Sequence, residues 1–179
     1  MKFRRAWAMP NSDTFEIEPI REWVMAYLEK SRHSVDMFAR NNRFCTATND
    51  LNPDTKAEYH LDAEQFLKEH GERLTIKGKF DLALFDPPYS PRQISECYQS
   101  IGLPVGMKET QSALLYSRVR SALDPLMAPN SVVLSFGWNS VGMGSIRGYE
   151  IEDVLLVCHG GAHNDTICIA ERRLPQLFD

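Results

Sequence analysis

A chain of 179 residues, 43% hydrophobic and 25% charged, suits one globular domain with a sizeable core. No apolar run approaches 18 residues, which excludes a helical membrane span, and the basic start Met-Lys-Phe-Arg-Arg lacks the apolar stretch of a signal peptide, so a cytoplasmic protein is expected. The net charge of −4 excludes a strong polyelectrolyte grip on nucleic acid, although residues 1–43 carry eight Lys/Arg against six Asp/Glu and residues 90–147 carry five against three, which leaves room for a basic face.

Residues 1–15 read as extended, with a turn at 10–13. Ile20, Trp23, Val24, Tyr27 and Leu28 recur at helical spacing, and Pro19 suits a first turn, so a helix is expected from residue 17 or 18 to about 30. Residues 34–39 read as the first strand of the main sheet. Asn41 and Asn42 tolerate positive φ and are expected to make the turn after it. Residues 44–48 read as a second strand, ending in Asn49-Asp50-Leu51-Asn52-Pro53, and residues 58–61 as a short third. Asp62 is placed to cap a helix over 62–70.

A compact apolar run over 80–85 follows a Gly-Lys break and reads as a buried strand. Two prolines end it, because each removes a backbone donor. Ser90 then caps, and Pro91 begins, a helix to about residue 100, with Arg92 and Gln93 on its first turn. A loop over 102–106 leads to a long helix over 110–127, with Leu114, Leu115, Val119, Leu123 and Leu126 inward. A strand is expected over 131–136, a loop over 137–144, and a closing hairpin of strands 151–158 and 166–170. Cys45, Cys97, Cys158 and Cys168 form no CxxC pair and read as reduced thiols. The spacing of His159, His163 and Asp165 matches no standard ligand set, so no metal site is expected.

The stretch Asp86-Pro87-Pro88-Tyr89 fixes a carboxylate, a rigid backbone and an aromatic ring at a strand's carboxyl end, where open α/β sheets bind ligands. Such a group suits methyl transfer to an exocyclic amine. That nitrogen is a poor nucleophile, since its lone pair is delocalised into the ring. Acceptors aimed at its N–H groups, the Asp86 carboxylate and the Pro87 carbonyl, draw it toward sp³, while Tyr89 can stack on a flat base. The tetrapeptide resembles motif IV, (D/N/S)PP(Y/F/W), of S-adenosylmethionine-dependent amino-methyltransferases. Its Asp form resembles the DNA adenine-N6 enzymes; the Asn form is commoner in glutamine-N5 enzymes and the Ser form in cytosine-N4 enzymes. Pro10-Asn-Ser12, Phe136-Gly-Trp-Asn-Ser140 and His159-Gly-Gly-Ala-His-Asn-Asp-Thr166 resemble small adenine-methyltransferase-like proteins of bacteriophages and mobile elements. The resemblance covers nearly the whole chain.

It implies a Rossmann-like class I methyltransferase fold: one α/β domain over 1–179 with helices on both faces, a mostly parallel seven-stranded sheet, an antiparallel C-terminal hairpin and no separate target-recognition domain. It implies S-adenosyl-L-methionine as cofactor. Thr14 and Phe15 are candidates for its methionine end. Asp36, Phe38 and Ala39 match the start of motif I, whose glycines are replaced by Arg40-Asn-Asn-Arg43, which leaves Arg40 free to meet the cofactor carboxylate or a phosphate. Asp50, at the end of the second strand, is placed for ribose hydroxyls. Leu51 packs on the adenine, and Asn49 and Asn52 can share the role, although the same residues also make a good Asx turn. Asp62, beside Ala63, fits an acceptor for the adenine amine or simply a helix cap.

The implied reaction is methyl transfer to adenine N6 in DNA, with Asp86, Pro87, Pro88 and Tyr89 as the catalytic motif and without a covalent intermediate. Tyr89, Ser90, Arg92, Trp138 and His163 are candidates for substrate contact. A duplex base must leave the stack to reach Asp86, at roughly a few kcal/mol. DNA affinity is expected to be modest and salt-sensitive, with short or relaxed sequence specificity, a single-stranded substrate, or a homodimer or accessory partner that supplies recognition. Methyl transfer to RNA, a nucleotide or a protein amide is one alternative, and a non-catalytic cofactor- or DNA-binding relic is another.

Overall fold

A computed structural model of the chain describes residues 1–102, 112–161 and 163–175. A seven-stranded sheet organises it: β1 (Lys2–Trp7), β2 (Ser34–Asp36), β3 (Ala47–Thr48), β4 (Phe80–Phe85), β5 (Met127–Gly137), β6 (Tyr149–Cys158) and β7 (Thr166–Arg173). The spatial order is β1-β6-β7-β5-β4-β2-β3. Only β7 runs against its neighbours, so the carboxyl ends of the other six share one edge. The chain leaves β2 outward to β3 and returns across it to β4. That reversal opens a crevice at the carboxyl ends of β2 and β4, the usual ligand position in such sheets.

Among the described residues, four helices cover the sheet: α1 (Glu18–Leu28), α2 (Ala63–Leu74), α3 (Pro91–Ser100) and α4 (Ser112–Leu123). Helix α1 places Ile20, Trp23 and Val24 against Leu84, Leu134 and Leu155 on one face. Full burial of such a side chain contributes about 1.5–3 kcal/mol. Helices α2 and α4 place Phe66, Leu67, Val119 and Leu123 against Val35, Ala83 and Val133 on the other. The expected strand over 80–85 and the helix from Pro91 have the bounds read from the sequence. The long helix ends at Leu123 and gives way to a 3-10 turn, Asp124–Leu126, because Pro125 cannot continue it. Thr110 and the side chains of Leu114 and Leu115 lie outside the described residues, as do residues 103–106 of the expected loop.

Two expectations are corrected. Residues 58–61 make no strand, only a single parallel bridge between Tyr59 and Asn49. The seventh strand is instead β1, which adds parallel to β6 at the far edge. Its anchor is Asp153, whose Oδ2 accepts from Arg4 and, at 3.1 Å, from the Trp23 indole. No helix among the described residues is long and apolar enough to cross a membrane.

Candidate active site

The residues after β4 are held from three sides. Ser90 is extended and its Oγ accepts from Gln93 N–H at 3.2 Å, which caps α3. Gln93 Oε1 accepts from Tyr89 N–H at 2.6 Å, and the Tyr116 hydroxyl of α4 donates to the Pro88 carbonyl. The strand-to-helix turn therefore has little freedom beyond what the two prolines already remove. Tyr89 turns its hydroxyl inward and donates to Asp86 Oδ1 at 2.7 Å. With that proton committed, the Thr14 hydroxyl, 3.1 Å away, donates to the Tyr89 oxygen.

Burial pushes the Asp86 carboxyl up to about 6. The hydrogen bond from Tyr89, the Thr14 hydroxyl behind it and the Arg40 charge hold it from rising further. The group is thus a carboxylate at neutral pH, with a titration close below it.

Beside this turn lies a cavity of about 500 Å³. Its wall includes Thr14, Phe38, Arg40, Asp50, Leu51, Asp62, Ala63 and the whole of Asp86-Pro-Pro-Tyr89. The Phe38 ring stands edge-on to Phe85 at 5.6 Å, fixed by the core. Asp50 receives Arg40 N–H on Oδ2 at 2.8 Å and Asn52 N–H on Oδ1 at 2.9 Å, so the Asx turn and the cavity wall are one feature. Asp62 divides its oxygens: Oδ1 accepts from Glu64 and Gln65 N–H as a helix cap, while Oδ2 accepts from the Tyr98 hydroxyl at 3.1 Å. Of the two neighbours of Asp50, Asn52 lines the cavity. Asn49 is buried and joins Met37 and Leu61 through their backbones.

Several expected site residues sit elsewhere. Phe15 is a core residue at 2% exposure, between Phe44 and Phe136. Asp36 is buried behind the cavity, where its Oδ1 accepts from Phe38 N–H at 3.0 Å. Burial pushes its pKa well up. Ala39 is buried and donates its N–H to Asn49 O. Both residues shape the turn and do not line the cavity. That turn differs from the expectation: the left-handed residue is Arg40, at φ 50°, not Asn41 or Asn42. The Asp50 carboxylate draws in Arg40 N–H, and Asn42 N–H closes on Ala39 O at 2.8 Å, which places the positive φ one residue nearer the N-terminus than Asn41.

On the substrate side, Ser90 serves as the α3 cap. Arg92 points to solvent and pairs along the helix with Glu96 at 2.8 Å. Trp138 does not line the cavity; its ring meets Tyr89 edge-on at 5.7 Å and is 41% exposed. His163 is exposed on the β6–β7 loop, away from the cavity wall. Tyr98 and Tyr116, which the sequence did not single out, both reach the site. Their helical spacing reads equally well as core, and only the packing of α3 and α4 over the crevice reveals them.

No family model matches the sequence, and no curated protein matches it. The fold is similar to the N-methyltransferase NodS from Bradyrhizobium japonicum WM9, at 10% identity and TM-score 0.57, over 93% of this chain and 100% of that one. It is similar to NSun6 from Pyrococcus horikoshii with SFG, at 13% identity and TM-score 0.53, over 84% of this chain and 50% of that one. It is also similar to TrmN from Thermus thermophilus, at 14% identity and TM-score 0.53, over 87% of this chain and 49% of that one. This chain spans about half the length of the last two. At these identities the likeness defines the architecture: a Rossmann-like methyltransferase fold.

Proposed function

We propose that this protein transfers the methyl group of S-adenosylmethionine to the exocyclic N6 of adenine in DNA. The observation that carries the reading is the placement of Asp86-Pro-Pro-Tyr89 on the wall of a cavity that also presents Asp50, Asp62 and Arg40. The donor set fits the cofactor. Asp50 offers acceptors for ribose hydroxyls, Asp62 one for an adenine amine, and Arg40 a cation for a carboxylate. Phe38, Leu51 and Ala63 supply apolar wall, and about 500 Å³ lies within the usual range for a ligand pocket. A fold neighbour, NodS, has been solved with S-adenosyl-L-homocysteine.

Bound there, S-adenosylmethionine supplies an electrophilic methyl group. The chain's own work is done on the acceptor. Asp86 takes an N–H of the amine and localises the nitrogen lone pair. The Pro87 carbonyl is fixed beside it by the Pro-Pro unit, whose far end Tyr116 and Gln93 hold. Because these acceptors are pre-oriented, little reorganisation is left for the transition state. The methylated amine is cationic and acidic, so Asp86 need only accept its proton afterwards. The low-dielectric setting that raises Asp86 to about 6 makes it a good acceptor at neutral pH.

The test is methyl transfer to unmethylated DNA with RNA and free nucleosides as competing acceptors. N6-methyladenine in DNA supports the reading. Transfer confined to RNA, or to no nucleic acid, opposes it.

A further inference from the structure

Among the described residues, the face of the sheet opposite α1 is incompletely covered. Strands β5 and β6 run parallel, and such strands are usually linked by a helix that packs on the sheet. Here residues 138–148 carry only the 3-10 turn Ser145–Arg147. Glu171 pins this link by accepting from Met143 and Gly144 N–H, which covers the middle of β7. Beyond it, Val154, Leu156 and Cys158 of β6 remain partly exposed and belong to neither core.

Strand β1 borders that open area. Its even positions face α1, where Arg4 is held by Asp153. Its odd positions, Phe3, Arg5 and Trp7, stand on the open face beside Val154, Leu156 and Cys158. Phe3 is 64% exposed and Trp7 66%. Strand geometry sets successive members of this row about 7 Å apart. Arg5 donates Nε–H to Cys158 Sγ at 3.1 Å and forms no ion pair among the described residues. The acid nearest it in charge effect is Asp165, and Glu152 is occupied by Arg172.

We propose that the Phe3–Arg5–Trp7 row is a nucleic-acid contact surface: unstacked bases of the substrate lie on the two rings, and a phosphate meets Arg5. The inference rests on the DNA reading above. Alternating aromatic and basic groups on an open sheet face suit bases and phosphates together. A second copy suits it poorly. Lys2 and Arg5 form no ion pair among the described residues, and pairing two β1 edges brings these like charges face to face. The row also leads to the catalytic edge. Ala8, next after Trp7, is fixed by Cys158 O and the His159 ring, and the chain then reaches Thr14 beside Tyr89.

The experiment measures anisotropy of a labelled mixed-sequence single-stranded oligonucleotide, together with S-adenosylmethionine calorimetry, melting and light scattering. Its variants are Phe3→Leu/Trp7→Leu, Phe3→Ala/Trp7→Ala and Arg5→Gln. Both double variants raise Kd at least about tenfold, because Leu keeps apolar area but cannot stack. Arg5→Gln lowers the slope of log K against log salt by about 0.7. Cofactor affinity and melting stay at wild-type values. Wild-type Kd in a folded Leu double variant overturns the inference while leaving DNA methylation intact, and so does a wild-type dimer that this variant dissociates. Absence of nucleic-acid binding and methylation in the wild type overturns both readings.

Discussion

The Tyr89 hydroxyl donates to Asp86 Oδ1 at 2.7 Å, and Thr14 completes the chain at 3.1 Å. Tyr89 is therefore more than a flat platform: it orients the carboxylate that the mechanism relies on. Tyr89→Phe keeps the ring and deletes this bond. A hydrogen bond to a charged group is worth about 1.5–3 kcal/mol, so kcat at pH 7 falls at least about tenfold. The acid limb of the pH–rate profile moves upward, since the bond that held Asp86 down is gone. Thr14→Val moves both in the same direction by less. Steady-state kinetics between pH 5 and 8.5 reads these shifts.

The titration of Asp86 predicts the wild-type profile as well. Transfer is level above neutrality and falls as pH drops through about 6, when the acceptor is protonated. The folded pKa lies above the unfolded value, so the folded state holds its proton to higher pH. Stability from this group is full below pH 4 and is lost as pH rises through 6. Asp86→Asn therefore melts higher than wild type at pH 7.5, by at most about 3 kcal/mol, and the gain vanishes near pH 4. Calorimetric melts at the two pH values measure it.

Asp62 separates capping from binding. Asp62→Asn keeps a good N-cap oxygen but replaces the Oδ2 acceptor with an amide donor. Because the new amide can donate to the Tyr98 oxygen in place of the bond Tyr98 now gives, the variant is expected to melt within about 0.5 kcal/mol of wild type and to bind S-adenosylmethionine about tenfold more weakly. Asp62→Ala loses the cap too and costs about 1 kcal/mol in addition. Paired melting and titration calorimetry distinguish the two losses.

Arg40 occupies a left-handed position at φ 50°. Arg40→Gly and Arg40→Ala both remove its hydrogen bond to Ser12 O, but only glycine relieves the backbone. The Gly variant is therefore more stable than the Ala variant by about 1 kcal/mol, while both lose cofactor affinity. Chemical denaturation of the pair reads the difference directly.

The site was legible where chemistry and local structure coincide. The strand over 80–85, the Pro-Pro stop and the Ser90 cap are all decided within a dozen residues, and the structure places each as read. Local patterns could not decide what depends on distant partners. Strand β1 owes its position to Asp153, 149 residues from Arg4. The turn at Arg40 depends on the Asp50 carboxylate rather than on the tolerance of Asn41 and Asn42. Phe15 and Thr14 are adjacent, yet one enters the core and the other meets Tyr89, a choice made by the rings of Phe44 and Phe136. The third strand failed because Asn49, with its side chain bonded to Met37 and Leu61, leaves only one bridge to Tyr59.

The central claim is that Asp86 serves transfer to adenine N6. Its most direct measurement is incorporation of tritiated methyl from S-adenosylmethionine into unmethylated single- and double-stranded DNA by wild type and Asp86→Ala, followed by nucleoside analysis. The account predicts label in N6-methyladenine with wild type and none with Asp86→Ala, although the variant folds and retains much of its cofactor binding. Equal label from both proteins, or label in RNA or cytosine and none in adenine of DNA, contradicts it.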